Sequence, residues 1–94
     1  MKELDPLLHS QLRLAVMSIL MNVEDADFVY LREKTESTAG NLSVQLDKLA
    51  AVGYIVVSKG FVGKKTRTVC AITEKGREAF RDYVDALKQY LNLD

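Results

Sequence analysis

Cysteine and histidine are almost absent from this sequence, which contains one of each, Cys70 and His9. A lone cysteine excludes an intrachain disulfide and any metal site built from several thiolates. His9 has no cluster of histidines or carboxylates around it at metal-ligand spacing. No group of serine, cysteine or histidine suggests a nucleophile with its base, and no glycine-rich phosphate cradle is present. We therefore expect no metal, no cofactor and no enzymatic activity.

Long apolar runs are also lacking, because no stretch of the sequence approaches the length needed to span a bilayer. No charged leader precedes an apolar run. Secretion and membrane insertion are therefore not expected. Together with the lone cysteine, which suits a reducing compartment, this pattern predicts a soluble cytoplasmic protein.

The sequence has no net charge, with 13 basic and 13 acidic side chains, so its total charge gives no argument for a polyanionic partner. The charges are, however, distributed unevenly. Residues 1–36 carry four basic and seven acidic groups, whereas residues 59–75 carry five basic groups and one acidic group. The second half of the sequence therefore contains a local positive region.

Two helices are predicted in the first third of the sequence. Asp5 can cap a helix that begins at Pro6 and covers about residues 6–22, where apolar residues recur at helical spacing. Asp27 can cap a short second helix over residues 28–34.

The next stretch is the most informative, because it predicts a helix with one apolar and one small, polar side. The connection over residues 35–38 ends in good capping residues, and Gly53 can adopt the left-handed conformation that ends a helix. The apolar side consists of Leu42, Leu46 and Leu49. The other side consists of Asn41, Ser43, Gln45 and Lys48. With the short helix before it, this pattern indicates a helix-turn-helix over about residues 27–53.

A hairpin and a last helix follow. Residues 54–58 and 66–72 are rich in β-branched and aromatic residues and flank a segment with two glycines and several lysines, which predicts a hairpin with a basic tip. Thr73 can cap a last helix over about residues 74–92. The length of 94 residues and the hydrophobic content of 48% suit one domain, residues 1–94, with one modest core.

Three helices, a hairpin wing over about residues 54–72 and a long last helix form the order of a winged helix-turn-helix domain. This fold is mainly α with a small β-hairpin (α+β), and its wing has two or three strands. The sequence resembles small bacterial and archaeal winged-helix transcriptional regulators related to the MarR and ArsR families. The motifs that carry the resemblance are Asn41-Leu42-Ser43 with Leu46 and Leu49, Val52-Gly53-Tyr54-Ile55, and Ile72-Thr73-Glu74-Lys75-Gly76-Arg77 with Phe80. The resemblance covers about residues 8–91 and implies a regulator that binds double-stranded DNA.

Side-chain chemistry and the resemblance together predict the residues that contact DNA. Asn and Gln can pair with adenine, Ser can pair with several base edges, and Val can contact a thymine methyl group. By resemblance, the residues that enter the major groove are Asn41, Ser43, Val44 and Gln45. Phosphate contacts are expected from Ser37 and Thr38 at the start of the helix, where Gly40 lets the DNA backbone approach, and from Lys48, one turn beyond the base-reading residues. The wing is expected to reach the backbone or the minor groove with Lys64, Lys65 and Arg67.

A homodimer is expected for two reasons. One small domain reads only a few base pairs, and two half-sites related by two-fold symmetry would supply the missing specificity. The last helix also carries a wide apolar band, against which apolar residues near the start of the chain can pack. The predicted interface residues are Leu4, Leu7, Leu8, Phe80, Tyr83, Leu87, Tyr90 and Leu91. In the resembling families, terminal helices also build the dimer.

Two alternatives stay open at this stage. Winged helices also serve as protein-interaction modules, and the zero net charge and Asp47 in the predicted recognition helix disfavour DNA. Relatives in the resembling families can bind a small ligand, but no residue here identifies an effector. Cys70 is expected to be a buried small hydrophobe in the second strand and not a redox sensor.

Overall fold

The computed structural model describes residues 2–91, which form four helices and a three-stranded antiparallel sheet. In chain order the elements are α1 (Gln11–Leu20), β1 (Ala26–Asp27), α2 (Phe28–Thr35), α3 (Ala39–Ala51), β2 (Ile55–Val62), β3 (Lys65–Ile72) and α4 (Glu74–Leu91). The strand order is β1-β3-β2. The predicted fold class is therefore confirmed. The ends of the predicted domain, residue 1 and residues 92–94, lie outside the described residues, including the last residue predicted for the final helix.

The hydrophobic core lies where the helices meet one face of the sheet. Its fully buried large side chains come from every layer of the fold and are Leu8, Val16, Met17, Leu20, Leu31, Leu42, Leu49, Ile55 and Cys70. Leu42 and Leu49 of the predicted apolar side of α3 are among them and Leu46 is only 3% exposed, so burial of these leucines fixes which side of this helix faces solvent. Transfer of such side chains from water contributes about 1.5–3 kcal/mol each.

The first helix is shorter than predicted. The sequence predicts a helix over residues 6–22, but α1 covers ten residues and starts after Ser10. Asp5 does cap a turn, because its carboxylate accepts a hydrogen bond from the backbone N–H of Leu7 at 3.0 Å. This turn does not continue into α1, because Ser10 has an extended backbone (φ −148°). The prediction therefore joined a separate turn to α1 as one helix.

The helix-turn-helix forms as the sequence predicts. Asp27 caps α2 by accepting a hydrogen bond from the N–H of Tyr30 at 2.8 Å, and Thr38 caps α3 by accepting one from the N–H of Asn41 at 3.1 Å. The turn between the helices is made by Glu36, which adopts the left-handed conformation (φ 54°) that glycine usually provides. α3 therefore starts at a well-defined point, which sets the direction of its polar side.

The wing differs from the prediction in two ways. The predicted strands over residues 54–58 and 66–72 leave a loop between them, but β2 and β3 extend until Gly63 and Lys64 alone connect them. The positive φ of Gly63 (63°) at the first of these positions suits the tight turn of a two-residue hairpin. The third strand, β1, has only two residues and pairs with Val69 and Cys70, too short a segment for periodicity to reveal.

A hydrogen-bonded junction joins the end of α3, the start of β2 and the start of α4. Gly53 has the predicted left-handed backbone (φ 79°), and its carbonyl accepts a hydrogen bond from the Thr73 hydroxyl at 2.6 Å. The backbone N–H of Thr73 donates to the carbonyl of Tyr54, and the Thr73 hydroxyl oxygen accepts from the N–H of Gly76, both at 3.0 Å. Thr73 therefore caps α4 and also fixes it against the wing.

We expect Gly76→Ala to lower the free energy of unfolding by about 1–3 kcal/mol, because a Cβ at this position would lie 2.1 Å from the Tyr54 carbonyl oxygen. Gly40→Ala is the matched control, because a Cβ there has nothing within 4 Å. The control should leave the free energy of unfolding unchanged or raise it by up to about 1 kcal/mol. Urea unfolding followed by circular dichroism measures both, and equal effects of the two substitutions would contradict the close contact.

Candidate nucleic-acid interface

α3 stands between two grooves on the surface of the protein. The groove on one side lies between α3, the start of α1 and the turn after α2, and its lining includes Ser10, Asn41 and Gln45. The groove on the other side lies between α3 and the wing, and its lining includes Ser43 and Asp47. The side of α3 opposite the buried leucines is exposed and has Val44 half exposed. α3 is therefore presented as a ridge, the shape that enters a major groove.

The start of α3 offers backbone donors to an anion. The first-turn amides of Ala39 and Gly40 lie before the regular α-helical bonding pattern, and both residues are exposed. The Thr38 hydroxyl accepts from the Asn41 N–H, so its own hydrogen stays available as a donor. A phosphate oxygen suits this end of the helix because the helix dipole favours negative charge there.

Ser37 is placed differently from its neighbours. The Thr35 hydroxyl donates to the Leu31 carbonyl at 2.7 Å, so at the 2.8 Å contact between the two hydroxyls Ser37 must be the donor. The backbone N–H of Ser37 donates to the Arg32 carbonyl at 3.3 Å. Both donors of Ser37 are therefore engaged within the chain, and it supports the turn more directly than it could hold a phosphate.

The two amide side chains of α3 are bonded to each other. Gln45 Nε2 donates to Asn41 Oδ1 at 3.0 Å, and Gln45 Oε1 accepts a hydrogen bond from the guanidinium of Arg13 on α1. Arg13 also donates through Nε to the carbonyl of Leu7. Asn41 is exposed and Gln45 is half-buried. Arg13 was not among the predicted site residues, because contact between α1 and α3 cannot be seen in the sequence.

The wing lysines and Arg67 occupy different environments. Lys64 lies in the hairpin turn and Lys65 begins β3, and both are exposed. The guanidinium of Arg67 lies 3.6 Å from the carboxylate of Asp27 across the sheet, with about half of the arginine side chain exposed. Lys64 and Lys65 are therefore exposed at the wing tip. Arg67 instead forms an ion pair with Asp27, and a phosphate would have to replace Asp27 in order to bind Arg67.

Further residues of this surface were not predicted. Lys59, on β2, lines the groove between the wing and α3 together with Asp47, so a positive charge lies in the same groove as the carboxylate that disfavours DNA. Phe61 and Val62 are 75% and 63% exposed near the wing tip. Lys48, by contrast, was predicted, and it is exposed one turn beyond Val44. Local positive charge in the second half of the sequence was the only signal that pointed to Lys59.

The predicted dimer residues divide into three groups by exposure. Leu8 and Tyr83 are buried in the core of their own chain. Half-buried residues that pack at the edge of this core are Leu4, Leu7, Phe80 and Leu87. Tyr90 and Leu91, at the end of α4, are 51% and 58% exposed. The predicted residues that a second copy of the chain could contact therefore lie at the end of α4 and at the edge of the core. Leu8 and Tyr83 are not accessible to a partner.

Hydrogen bonds attach the segment before α1 to the rest of the chain. His9 Nδ1 lies 2.9 Å from the hydroxyl of Tyr83 on α4, which gives the lone histidine a structural partner. The hydroxyl of Tyr54 donates to Asp5 at 2.6 Å. Burial, together with the hydrogen bond and negative charge of Asp5, raises the pKa of Tyr54 to about 12. The N-terminal segment therefore covers part of the apolar band of α4 within one chain.

Two structural findings concern other kinds of site. Within residues 2–91, no three histidine, cysteine, aspartate or glutamate side chains are grouped so as to hold a metal ion. No helix in the same part of the chain is long and apolar enough to cross a membrane.

The chain belongs to the winged helix DNA-binding domain family, whose model matches residues 12–91. It is 35% identical over 81 residues to the uncharacterized protein MJ0432 of Methanocaldococcus jannaschii, a match that covers 86% of this chain and 88% of that protein. The transcriptional regulator homologue protein from Pyrococcus horikoshii OT3 is similar in structure, with a TM-score of 0.84 and 27% identity over 92% of this chain and 85% of that chain. YusO from Bacillus subtilis shares the fold, with a TM-score of 0.71 and 16% identity over 95% of this chain and 59% of that chain.

We expect the Cys70 thiol to react with an aromatic disulfide reagent at pH 8 at least about a hundred times more slowly in the native protein than in urea. The side chain is fully buried, and burial raises its pKa from 9.0 to about 11, which lowers the thiolate fraction at this pH. Between about pH 9 and 11 the unfolded chain loses the thiol proton while the folded chain keeps it, so the free energy of unfolding falls as the pH rises through this range. Absorbance of the released thiolate measures the rate, and equal native and unfolded rates would contradict burial.

Proposed function

We propose that this protein is a transcriptional regulator of the MarR/ArsR-like kind, which binds a specific sequence of double-stranded DNA as a homodimer in the cytoplasm. The observation that carries the proposal is the exposed polar side of α3, which stands between two grooves with a basic wing tip beside it. Membership of a DNA-binding family and similarity to the Pyrococcus horikoshii regulator homologue support it.

In this proposal α3 lies in the major groove and its contacts divide into two kinds. Asn41, Ser43, Val44 and Gln45 face base edges, which gives sequence preference. The amides at the start of α3 and the Thr38 hydroxyl bind one phosphate, and Gly40 lets the backbone approach because it has no Cβ. Lys48, Lys64, Lys65 and, after release from Asp27, Arg67 neutralise further phosphates.

The homodimer is proposed to form through α4 and the edge of the core. Tyr90 and Leu91 are large apolar residues that their own chain leaves exposed, and Leu87 is half-buried beside them. A two-fold symmetric pair would bury them and would place two α3 helices on two half-sites.

A protein-interaction module is the second candidate. Phe61 and Val62 are strongly exposed on the wing, and exposed apolar residues are common where another protein binds. The carboxylates of Glu36 and Asp47 also lie on the surface around α3. A stable protein partner that is lost on substitution of Asn41 and Gln45, without any DNA binding, would favour this candidate.

Selection of bound duplexes from a random DNA pool tests the proposal directly. We expect enrichment of an inverted repeat, because a symmetric dimer presents two identical α3 helices. Enrichment of a single half-site would retain specific binding and remove the dimer. Absence of any enrichment, from protein shown to be folded by circular dichroism, would contradict the proposed function.

Replacing Lys64 and Lys65 by alanine is expected to weaken binding of every duplex. The slope of log affinity against log salt should fall by about four units for the dimer, because two lysines are lost from each protomer and each lost phosphate contact removes roughly one. Anisotropy titrations at several salt concentrations measure the slope. The matched control is Arg81→Ala with Lys88→Ala, which removes two exposed charges from α4 and should leave the slope unchanged. An unchanged slope in the wing variant would mean that the tip does not lie on phosphates.

Replacing Tyr90 and Leu91 by lysine is expected to convert a dimer into a monomer, because the proposed interface would then hold unpaired charges. Val29→Lys is the control, since Val29 is 62% exposed on α2, outside the proposed interface. Sedimentation equilibrium gives the mass of each variant. A wild-type protein that is monomeric at micromolar concentration, or a lysine variant that stays dimeric, would exclude this interface.

A further inference from the structure

We propose that Arg13, on α1, is a positioning residue for base recognition, because it fixes the orientation of the two amide side chains on α3. The inference rests on the proposed function and describes how the same surface would select a sequence. It depends on three side chains that are linked by hydrogen bonds, Arg13 to Gln45 and Gln45 to Asn41. They form one row from α1 to the exposed side of α3.

The direction of this row follows from the chemistry of its first member. A guanidinium has five N–H donors and no acceptor, so the amide that meets Arg13 must present its oxygen. Gln45 therefore turns Oε1 toward Arg13 and Nε2 away from it. Because Nε2 is a donor, Asn41 must in turn meet Gln45 with Oδ1. Because the guanidinium of Arg13 can only donate hydrogen bonds, Arg13 thus determines the orientation of both amides.

One further hydrogen bond holds the residue at each end of the row in place. Arg13 donates through Nε to the carbonyl of Leu7, which fixes the guanidinium beside the start of α1. The backbone N–H of Asn41 donates to the Thr38 hydroxyl oxygen, which fixes Asn41 in the first turn of α3. An amide alone rotates easily between its two orientations, but here Arg13 opposes rotation of the Gln45 amide and Gln45 Nε2 opposes rotation of the Asn41 amide.

The row ends in the Nδ2 group of Asn41, which carries the outward hydrogen-bond donors. A bidentate contact to adenine needs one donor and one acceptor, and Gln45 already occupies one of the two lone pairs of Asn41 Oδ1 and fixes its direction, which leaves adenine only the other lone pair. Guanine presents two acceptors, N7 and O6, on its major-groove edge. The base pair that faces Asn41 is therefore a G·C pair with guanine toward the protein, although an isolated asparagine would favour adenine.

The test begins from the sequence that the selection experiment enriches. Arg13→Met removes the donor and keeps most of the aliphatic stem. It is expected to reduce discrimination of guanine against adenine at one position in each half-site by about tenfold. The salt slope should stay the same, because Arg13 does not contact a phosphate. Arg81→Met on α4 removes the same charge from an exposed site and should preserve discrimination.

Two further variants separate positioning from a general structural effect. Gln45→Glu keeps an acceptor for Arg13 but cannot donate to Asn41, so it should lose guanine discrimination as Arg13→Met does, while the contact of Arg13 with Leu7 is kept. Arg13→Met should then add nothing in the Gln45→Glu background, because both substitutions break the same row. Without DNA, Arg13→Met should shift the side-chain amide resonances of both Gln45 and Asn41 in ¹⁵N spectra.

The possible outcomes distinguish this inference from the proposed function. If the wild-type protein enriches no sequence, the proposed function fails and the inference fails with it. If a sequence is enriched and Arg13→Met discriminates as the wild type does, the inference alone is overturned. A uniform loss of affinity with a salt slope lower by about two for the dimer would also overturn it, because Arg13 of each protomer would then be a phosphate contact. Adenine opposite Asn41 would overturn the predicted direction of the row.

Discussion

The first turn of α4 packs so closely on the carbonyl of Tyr54 that a residue with a Cβ does not fit at position 76. Thr73 uses both its backbone and its hydroxyl at the same place, where it bonds Gly53, Tyr54 and Gly76. The end of α3, the base of the wing and α4 are therefore fixed relative to one another. This matters for the proposed function, because the proposed base contacts by α3 and phosphate contacts by the wing require one defined spacing.

Charge acts in this protein through position and not through amount. The chain has no net charge, yet its wing tip carries Lys64 and Lys65 while several carboxylates lie elsewhere on the same surface. Asp27 holds Arg67, and Asp47 shares a groove with Lys59. Acidic groups near α3 are thus partly matched by basic groups of the wing. Such an arrangement limits non-specific attraction to DNA, so the proposed recognition would depend more on the contacts of α3.

Local signals predicted most of the architecture correctly, because the residues that end helices act on their immediate neighbours. Asp27, Thr38 and Thr73 cap the helices that they were expected to cap. The predicted ends of elements were wrong where one local feature favoured continuing an element and another favoured ending it. Apolar periodicity continues across Ser10, so the first helix was predicted too long, and Gly60 suggested a loop although it lies inside β2. The extended backbone of Ser10 separates the first turn from α1, and the pairing of β2 with β3 continues the strand through Gly60.

The sequence by itself determined the order of the elements, the buried side of α3 and the basic character of the wing, because helical spacing, capping and composition are properties of neighbouring residues. Only the tertiary structure decided which distant residues meet. It brought Arg13 to Gln45 and Arg67 to Asp27, and it buried Leu8 and Tyr83, which the sequence had suggested for an interface. These contacts join segments far apart in the chain, where neither periodicity nor spacing carries information about distance in space.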